Sequence, residues 1–414
     1  MHEPKPIRRH ERVVHAGFIP LLDCAPLVIA RERGFDQQFG FSFQLHREVS
    51  WANIRDKLDV GVFDCAHMLA PMPLAATLGL GRAAEPVIAP MSLSLNGNAI
   101  TVSQSLFDEM CAADAQSARA GGMAPASALA RVVRARNADG RTPLTFGMVY
   151  PFSCHNYDLR VWLAAAGIDP DNDINLVVVP PPLIAEQLKA GRVDGFCVGQ
   201  PWNSVAVEDG QGVILATKNQ IWPMSPEKVL GVREDWARDN AALLSDAMRA
   251  LVAACEWLDE PDNRSAAAKI LAEPHYVGVP EHILERPLKG LLKFGGDKPD
   301  IADPDSVVFY RGAANFPWRS HAVWIVMQMI RWGQVRDPFD ILALAERVYR
   351  PDLYRAALAG CGIDIPDRDY KPEGRDDDFF GGEIFDPEDV IGQLKALSIR
   401  TAGADLEAFA EHNL

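Results

Sequence analysis

The alternation of apolar and polar positions along the chain spells out one unit twice. Phe41 to Met68, FSFQLHREVSWANIRDKLDVGVFDCAHM, opens on an apolar strand and turns into a helix closed by Leu and Gly. It ends on an Asp that opens a second short strand. Ile174 to Asn203, INLVVVPPPLIAEQLKAGRVDGFCVGQPWN, follows the same order. Leu58, Gly61 and Asp64 answer Leu188, Gly191 and Asp194, 130 positions later. Two similar α/β lobes leave a cleft between them, and the ends of such sheets are where small ligands bind. The pattern predicts a two-lobed binder of a small molecule.

Around these units the pattern predicts the rest of each lobe. RVVHAGFIPLLDCAPLVIARERGF reads as a strand, a turn at Pro20 and a helix from about Cys24 to Arg33 that Gly34 stops. A small-residue helix follows Pro71 and Pro73. The run VIAPMSLSLNGNAITVS is strand-like, broken by the Asn96-Gly97-Asn98 turn. A helix over Gln104–Cys111, a Gly/Ala/Ser-rich surface stretch and a basic helix precede TPLTFGMVY, the start of the second lobe. IWPMSPEKVLGV returns the chain to the first lobe. Beyond Val232, DWARDNAALLSDAMRALVAACEWLDE carries Leu244, Met248, Leu251 and Cys255 at helical spacing. Further apolar helices, among them one bearing Trp318, Trp324 and Trp332, are expected to pack around the first lobe. RDDDFFGGEIFDPED reads as a solvated acidic loop before a last helix near Val390 to Ile399. The expected division is 13–103 and 226–360 for lobe one, 104–225 for lobe two, and 361–414 for a C-terminal tail.

Composition narrows the function classes. With 414 residues, 48% of them hydrophobic, the chain can fill two or three cores. A net charge of −15 argues against broad nucleic-acid contact, while leaving room for a small cationic pocket. Lys5, Arg8, Arg9, Glu11 and Arg12 precede the first strand in place of the ~7–15 apolar residues of a secretory leader, and no run of ~20 apolar residues marks a membrane span. The expectation is a cytoplasmic protein. Seven cysteines stand singly, as small buried hydrophobes with reduced thiols do. Cys65 and His67 read as core or cleft lining, with no third ligand at metal spacing. No nucleophile elbow, phosphate loop or paired-acid signature calls for catalysis, so neither an enzyme, a metal nor a cofactor is expected.

At SWANIRDKL, HMLAPMP, SLNGNAIT, HNYDLRVWLAAAGIDP, LKAGRVDGFCVGQPWN and KVLGV the chain resembles the nitrate/bicarbonate solute-binding family of bacterial ABC importers, over roughly Val13 to Pro351. The resemblance implies an α/β, two-lobed, periplasmic-binding-protein-like fold of the second type, with a ligand cleft between lobes and added C-terminal helices. In lacking a leader, the chain is similar to the cytoplasmic nitrate/nitrite sensors of the NasS type. Such sensors hold a NasT-type ANTAR antiterminator, an RNA-binding protein, and release it when nitrate or nitrite binds. An importer's binding component is the alternative. A third reading is an enzyme, because the fold also hosts a pyrimidine synthase with iron and clustered cysteines; the dispersed cysteines argue against it.

Nitrate is a flat monoanion with three acceptor oxygens, so a fitting pocket offers donors, one cation and an aromatic wall, with no carboxylate facing the ion. The resemblance implies that Lys228 is the cation, where the bicarbonate branch carries an acid that helps hold calcium. It implies that Trp51 lines the ion, with first-turn N–H groups of Trp51 and Ala52 as donors. Asn98 offers its amide, His155 a ring N–H across the cleft, and Gly199 a backbone N–H that a side chain would screen. Relatives commonly read Gly-Glu-Pro-Trp-Asn where this chain has Gln200, which makes the cleft mouth less negative. By themselves Lys228 and His155 read as surface or helix-cap residues, and Asn98 as a turn former.

Overall fold

The computed structural model describes residues 12–81, 83–373, 380 and 385–413. The basic positions Lys5, Arg8 and Arg9, with Glu11, and most of the acidic run 375–389 lie outside the described residues. In chain order the main strands are β1 (Arg12–Phe18), β2 (Phe41–Arg47), β3 (Cys65–Leu69), β4 (Val87–Asn96), β5 (Asn98–Ser103), β6 (Thr145–Met148), β7 (Asn175–Val178), β8 (Gly195–Gly199), β9 (Gly212–Thr217) and β10 (Pro226–Arg233). They form two sheets, ordered β4-β10-β3-β1-β2, edged by Val307–Val308, and β7-β6-β8-β5-β9.

The repeat holds at atomic detail. In the first sheet Ala16 and Gly17 of β1 pair with Cys65 and Ala66 of β3; in the second, Phe146 and Gly147 of β6 pair with Gly195 and Phe196 of β8. Each partner is displaced by the same 130 positions. Asp64 accepts the His15 backbone N–H at 2.8 Å, and Asp194 accepts that of Thr145 at 2.8 Å. The Asp that opens the short strand satisfies a backbone donor of its neighbour in both lobes. Gly17 and Gly147 are equivalent too. A Cβ on Gly17 would lie 3.1 Å from Ile54 Cδ1, and one on Gly147 would lie 2.6 Å from Ile184 Cδ1. The helix of each unit therefore rests directly on strand backbone.

The lobes exchange strands at two places. Asn96 and Gly97 take φ of 60° and 96°, values open to Asn and Gly in tight turns, and the chain leaves the first sheet there. Asn98–Ser103 then pairs with β8 and β9. The Asn-Gly-Asn turn is thus a crossover, and residues 98–103, expected in lobe one, belong to the second sheet. The chain returns through the short helix Lys218–Ile221, and β10 enters the first sheet antiparallel between β3 and β4.

Other elements differ in extent from expectation. The helix from Gln104 runs to Arg119, kinked at Asp114, so part of the Gly/Ala/Ser stretch is helical. The long helix after Val232 is two, Glu234–Asp239 and Ala241–Asp259, broken at Asn240; Leu244, Met248, Leu251 and Cys255 are buried on it. Trp324 and Trp332 are buried, while Trp318 is half-buried against Phe316. The tail carries helices Val390–Ala396 and Leu406–His412. It bridges the lobes: the Phe380 N–H donates to Ile221 O at 3.0 Å, and Arg331 Nε donates to Ile399 O at 3.1 Å. Five of the seven cysteines are buried, Cys111 is half-buried and Cys361 exposed, and all are free thiols. No helix among the described residues is long and apolar enough to cross a membrane.

Candidate functional site

Charged side chains from both lobes converge where the sheets' crossovers meet. β10 sets Lys228 opposite Leu69 of β3 and Ser94 of β4, fully buried. Its Nζ is 2.7 Å from Asp23 Oδ2 and 2.7 Å from Glu227 Oε1, and 5.6 Å from the Trp51 ring centroid. Trp51 begins the helix Trp51–Asp59, whose start Ser50 fixes by accepting the Asn53 N–H at 3.3 Å. Ala52 follows it, half-buried, in the same first turn. Asp23 stands just before the helix Ala25–Glu32, and its Oδ1 is 2.9 Å from His67 Nε2. His67 Nδ1 accepts the Ile19 N–H at 3.5 Å, which leaves Nε2 as the protonated nitrogen of a neutral ring.

The second lobe contributes Asn98, His155, Asp158 and Lys218. Ser153 caps the helix Cys154–Ala165 by accepting the Asn156 N–H at 3.1 Å, so His155 and Asp158 lie on adjacent turns of one face. Lys218 Nζ sits 3.0 Å from Asp158 Oδ2 and 3.0 Å from Glu227 Oε2, and donates to Pro226 O at 2.6 Å. The Asn98 amide donates to Glu227 and, at 3.4 Å, to Asp158 Oδ2. His155 Nδ1 is 3.5 Å from Glu227 Oε1, with no hydrogen bond between them. Gly199 closes the wall: a Cβ there would stand 3.5 Å from both Asp23 Oδ2 and Asn98 Oδ1. Gln200 turns its side chain away, accepting from the Ser204 hydroxyl at 2.9 Å, while its carbonyl accepts the Leu22 N–H across the lobes at 2.8 Å.

Electrostatics follow from burial and pairing. Burial alone would raise Glu227, but His155, Lys228 and Lys218 beside it hold its carboxyl far below the usual range. Burial would likewise raise Asp23, and Lys228 and His67 lower it. For Asp158 burial prevails over Lys218 and pushes it up to about 6. Burial works against both lysine charges, yet Asp158 on Lys218, and Asp23 and Glu227 on Lys228, raise them. Burial drops His155 to about 3, so the ring is neutral. Among the described residues, Trp51 Nε1, both His155 ring nitrogens and the Ser94 hydroxyl are buried without a hydrogen-bond partner. Each such group costs about 1–3 kcal/mol until a ligand or water meets it.

The structure brings Trp51, Asn98, His155, Gly199 and Lys228 to one junction. It also overturns the expectation of a pocket without carboxylates, because two of them flank Lys228 directly. A cation can be buried here only if its charge is matched. The sequence reading missed Asp23, Asp158, Lys218 and Glu227. The available signal was a single charge inside an otherwise apolar run, as at Asp23 in LLDCAPLVIA. His67, read as lining, is part of the network through Asp23. No group of three His, Cys, Asp or Glu suited to a metal occurs among the described residues, and an ammonium fills the space between Asp23 and Glu227.

Comparison with known proteins agrees with this architecture. The profile of the NMT1-like family matches residues 9–272. The chain belongs to the NMT1-like family. This NMT1-like chain is 32% identical over 399 residues to the nitrate/nitrite binding protein NrtA of Synechocystis sp., covering 94% of the chain and 85% of NrtA. It is 39% identical over 385 residues to the nitrate import ATP-binding protein NrtC of the same organism, and 35% over 395 residues to its bicarbonate transport ATP-binding protein CmpC. The chain spans 55% of that NrtC and 56% of that CmpC. The crystal structure of the periplasmic nitrate-binding protein NrtA from Synechocystis PCC 6803 superposes with a TM-score of 0.86 at 30% identity, over 94% of this chain and 99% of NrtA. The fold is therefore periplasmic-binding-protein-like.

Proposed function

We propose that this protein binds nitrate or nitrite between its lobes and acts as a sensor of the ion in the cytoplasm. The observation that carries the first half is the buried ammonium of Lys228 under the Trp51 ring, beside unpartnered Trp51, His155 and Ser94. A flat anion supplies the acceptors those groups lack. Charge-assisted hydrogen bonds contribute ~1.5–3 kcal/mol each, so three or four reach about −8 kcal/mol, a micromolar Kd. The names of NrtA and NrtC, one a nitrate/nitrite binder and the other a nitrate import component, support the choice of ion. The reading is of a binding protein that performs no reaction.

The sensor role rests on the resemblance to NasS-type proteins. In this reading the ion draws together Lys228 and Trp51 of one lobe and Asn98 and His155 of the other. Closure then removes the surface that holds a NasT-type antiterminator. To turn a mostly held complex into a mostly free one, the ion must favour the closed form by about 5 kcal/mol. The relatives' import names favour a second reading, the binding component of an ABC importer.

Calorimetric titration with nitrate, nitrite and bicarbonate, repeated on Lys228→Ala, tests the ligand. Expected are micromolar nitrate or nitrite binding and its loss in the variant. Mixing the protein with a NasT-type antiterminator separates the roles: a complex that millimolar nitrate dissolves supports the sensor. Absence of a complex, or one indifferent to both ions, leaves the importer reading.

A further inference from the structure

The charges of the binding junction do not balance around an added anion. Asp23, Asp158 and Glu227 face Lys218 and Lys228, all five buried. The other titratable groups against Glu227 and Asp158 add no charge. His155 and His67 are neutral, and burial keeps the thiols of Cys154 and Cys197 and the phenol of Tyr349 protonated. With every acid ionised the junction already holds one more negative charge than positive. Nitrate would double that excess in a place closed to water, a cost in desolvation set against the hydrogen bonds it gains.

Hydrogen-bond chemistry raises the same objection. Ionised Glu227 offers only lone pairs, and its two oxygens already occupy Lys228, Lys218 and Asn98, three of the donors an anion would use. Asp158 Oδ1 and Asn98 Oδ1 are buried acceptors with no donor among the described residues. These open acceptors stand beside the open donors of Trp51, His155 and Ser94, and an anion satisfies only the donors.

Resting on the nitrate/nitrite reading, we infer that the site takes up its anion together with one proton, carried by the Asp158 carboxyl, whose Oδ1 is a buried acceptor without a donor among the described residues. Asp158 and Glu227 are joined through Lys218, 3.0 Å from each. A proton from solvent on Asp158 restores the charge the empty junction had. It also turns an acceptor that repels nitrate into an O–H that donates to it. Lys218, no longer held by an ionised Asp158, is then free to turn to the ion.

Titration of nitrate into the intact protein at pH 7, in phosphate and in Tris, measures the proton directly, because the two buffers differ in ionisation enthalpy. The expected result is uptake of about one proton per anion, with Kd weakening about tenfold for each unit of rising pH across that range. Asp158→Asn is expected to abolish the buffer difference and to bind nitrate at least tenfold more tightly at pH 8. Should that variant not fold, Glu227→Gln, which removes the excess negative charge by another route, is expected to reduce the uptake as well. Nitrate binding with equal heats in both buffers and a flat Kd would overturn the inference while leaving the binding function intact. A wild-type protein that gives no heat with nitrate or nitrite at pH 6 or pH 8 would overturn the functional reading, and this inference with it.

Discussion

Removing the ammonium of Lys228 leaves Asp23 and Glu227 buried without the cation between them. Breaking a buried pair on one side costs about 3–5 kcal/mol. Lys228→Ala is therefore expected to lower the urea midpoint markedly as well as to lose the anion, and Lys228→Met, which keeps the volume, to behave alike. His155 makes a second prediction at this scale. Burial lowers it from 6.5 to about 3, so as pH falls the unfolded chain gains the proton first. Its contribution to stability is complete above pH 6.5 and is lost on acidification toward pH 3, by about 3–5 kcal/mol. Urea melts across pH 4–7 should show that share as the difference between wild type and His155→Gln; His67 and His321, which burial also lowers, add to the slope in both proteins, and Asp158, raised to about 6, opposes it between about pH 4 and 6. Lys228 and His155 could be marked in the sequence through motif resemblance. Glu227 could not be assigned a role, because adjacent residues on a strand ordinarily face opposite ways and the bulges around Lys228 decide otherwise.

At the scale of elements, the repeated strand–helix–strand unit predicts paired effects. Asp64→Ala and Asp194→Ala each strand one backbone N–H, on His15 and Thr145, and each is expected to cost about 1–3 kcal/mol in chemical denaturation. A similar loss from both would support the equivalence of the lobes; a neutral result at either site would count against it. The repeat was legible because strand and helix periods are local, and Leu, Gly and Asp recur at fixed places. The break at Asn240 was not, since apolar spacing continues through it, and neither was the helix beyond Cys111, whose small residues read as surface. The Asn-Gly-Asn crossover reads in sequence like a hairpin turn. Positive φ at Asn96 and Gly97 allows either, and pairing of β5 with β8 selects the second sheet.

Over the whole molecule, the junction ties closure to charge. Lys218 and Asn98 of the second lobe hold Glu227 of the first, while Trp202 Nε1 donates to Pro20 O at 3.0 Å and Gln200 O accepts the Leu22 N–H. A ligand that binds the folded protein alone stabilises it by about 3 kcal/mol at a hundred times Kd. Nitrate or nitrite at that excess should raise the melting temperature by a few degrees, where chloride at equal ionic strength should not. The tail crosses the same boundary through Phe380 and Ile221, so it is placed to register a change in lobe angle.

The sequence by itself determined the two α/β halves, their common ancestry of pattern, and the family to which their motifs point, because each depends on spacing between near neighbours. Tertiary structure alone decided the charge state of the junction. Asp23, His67, Asp158, Lys218 and Glu227 come from five separate elements, and the energy of a buried ion depends on which others lie within a few ångströms of it. No local pattern carries that distance.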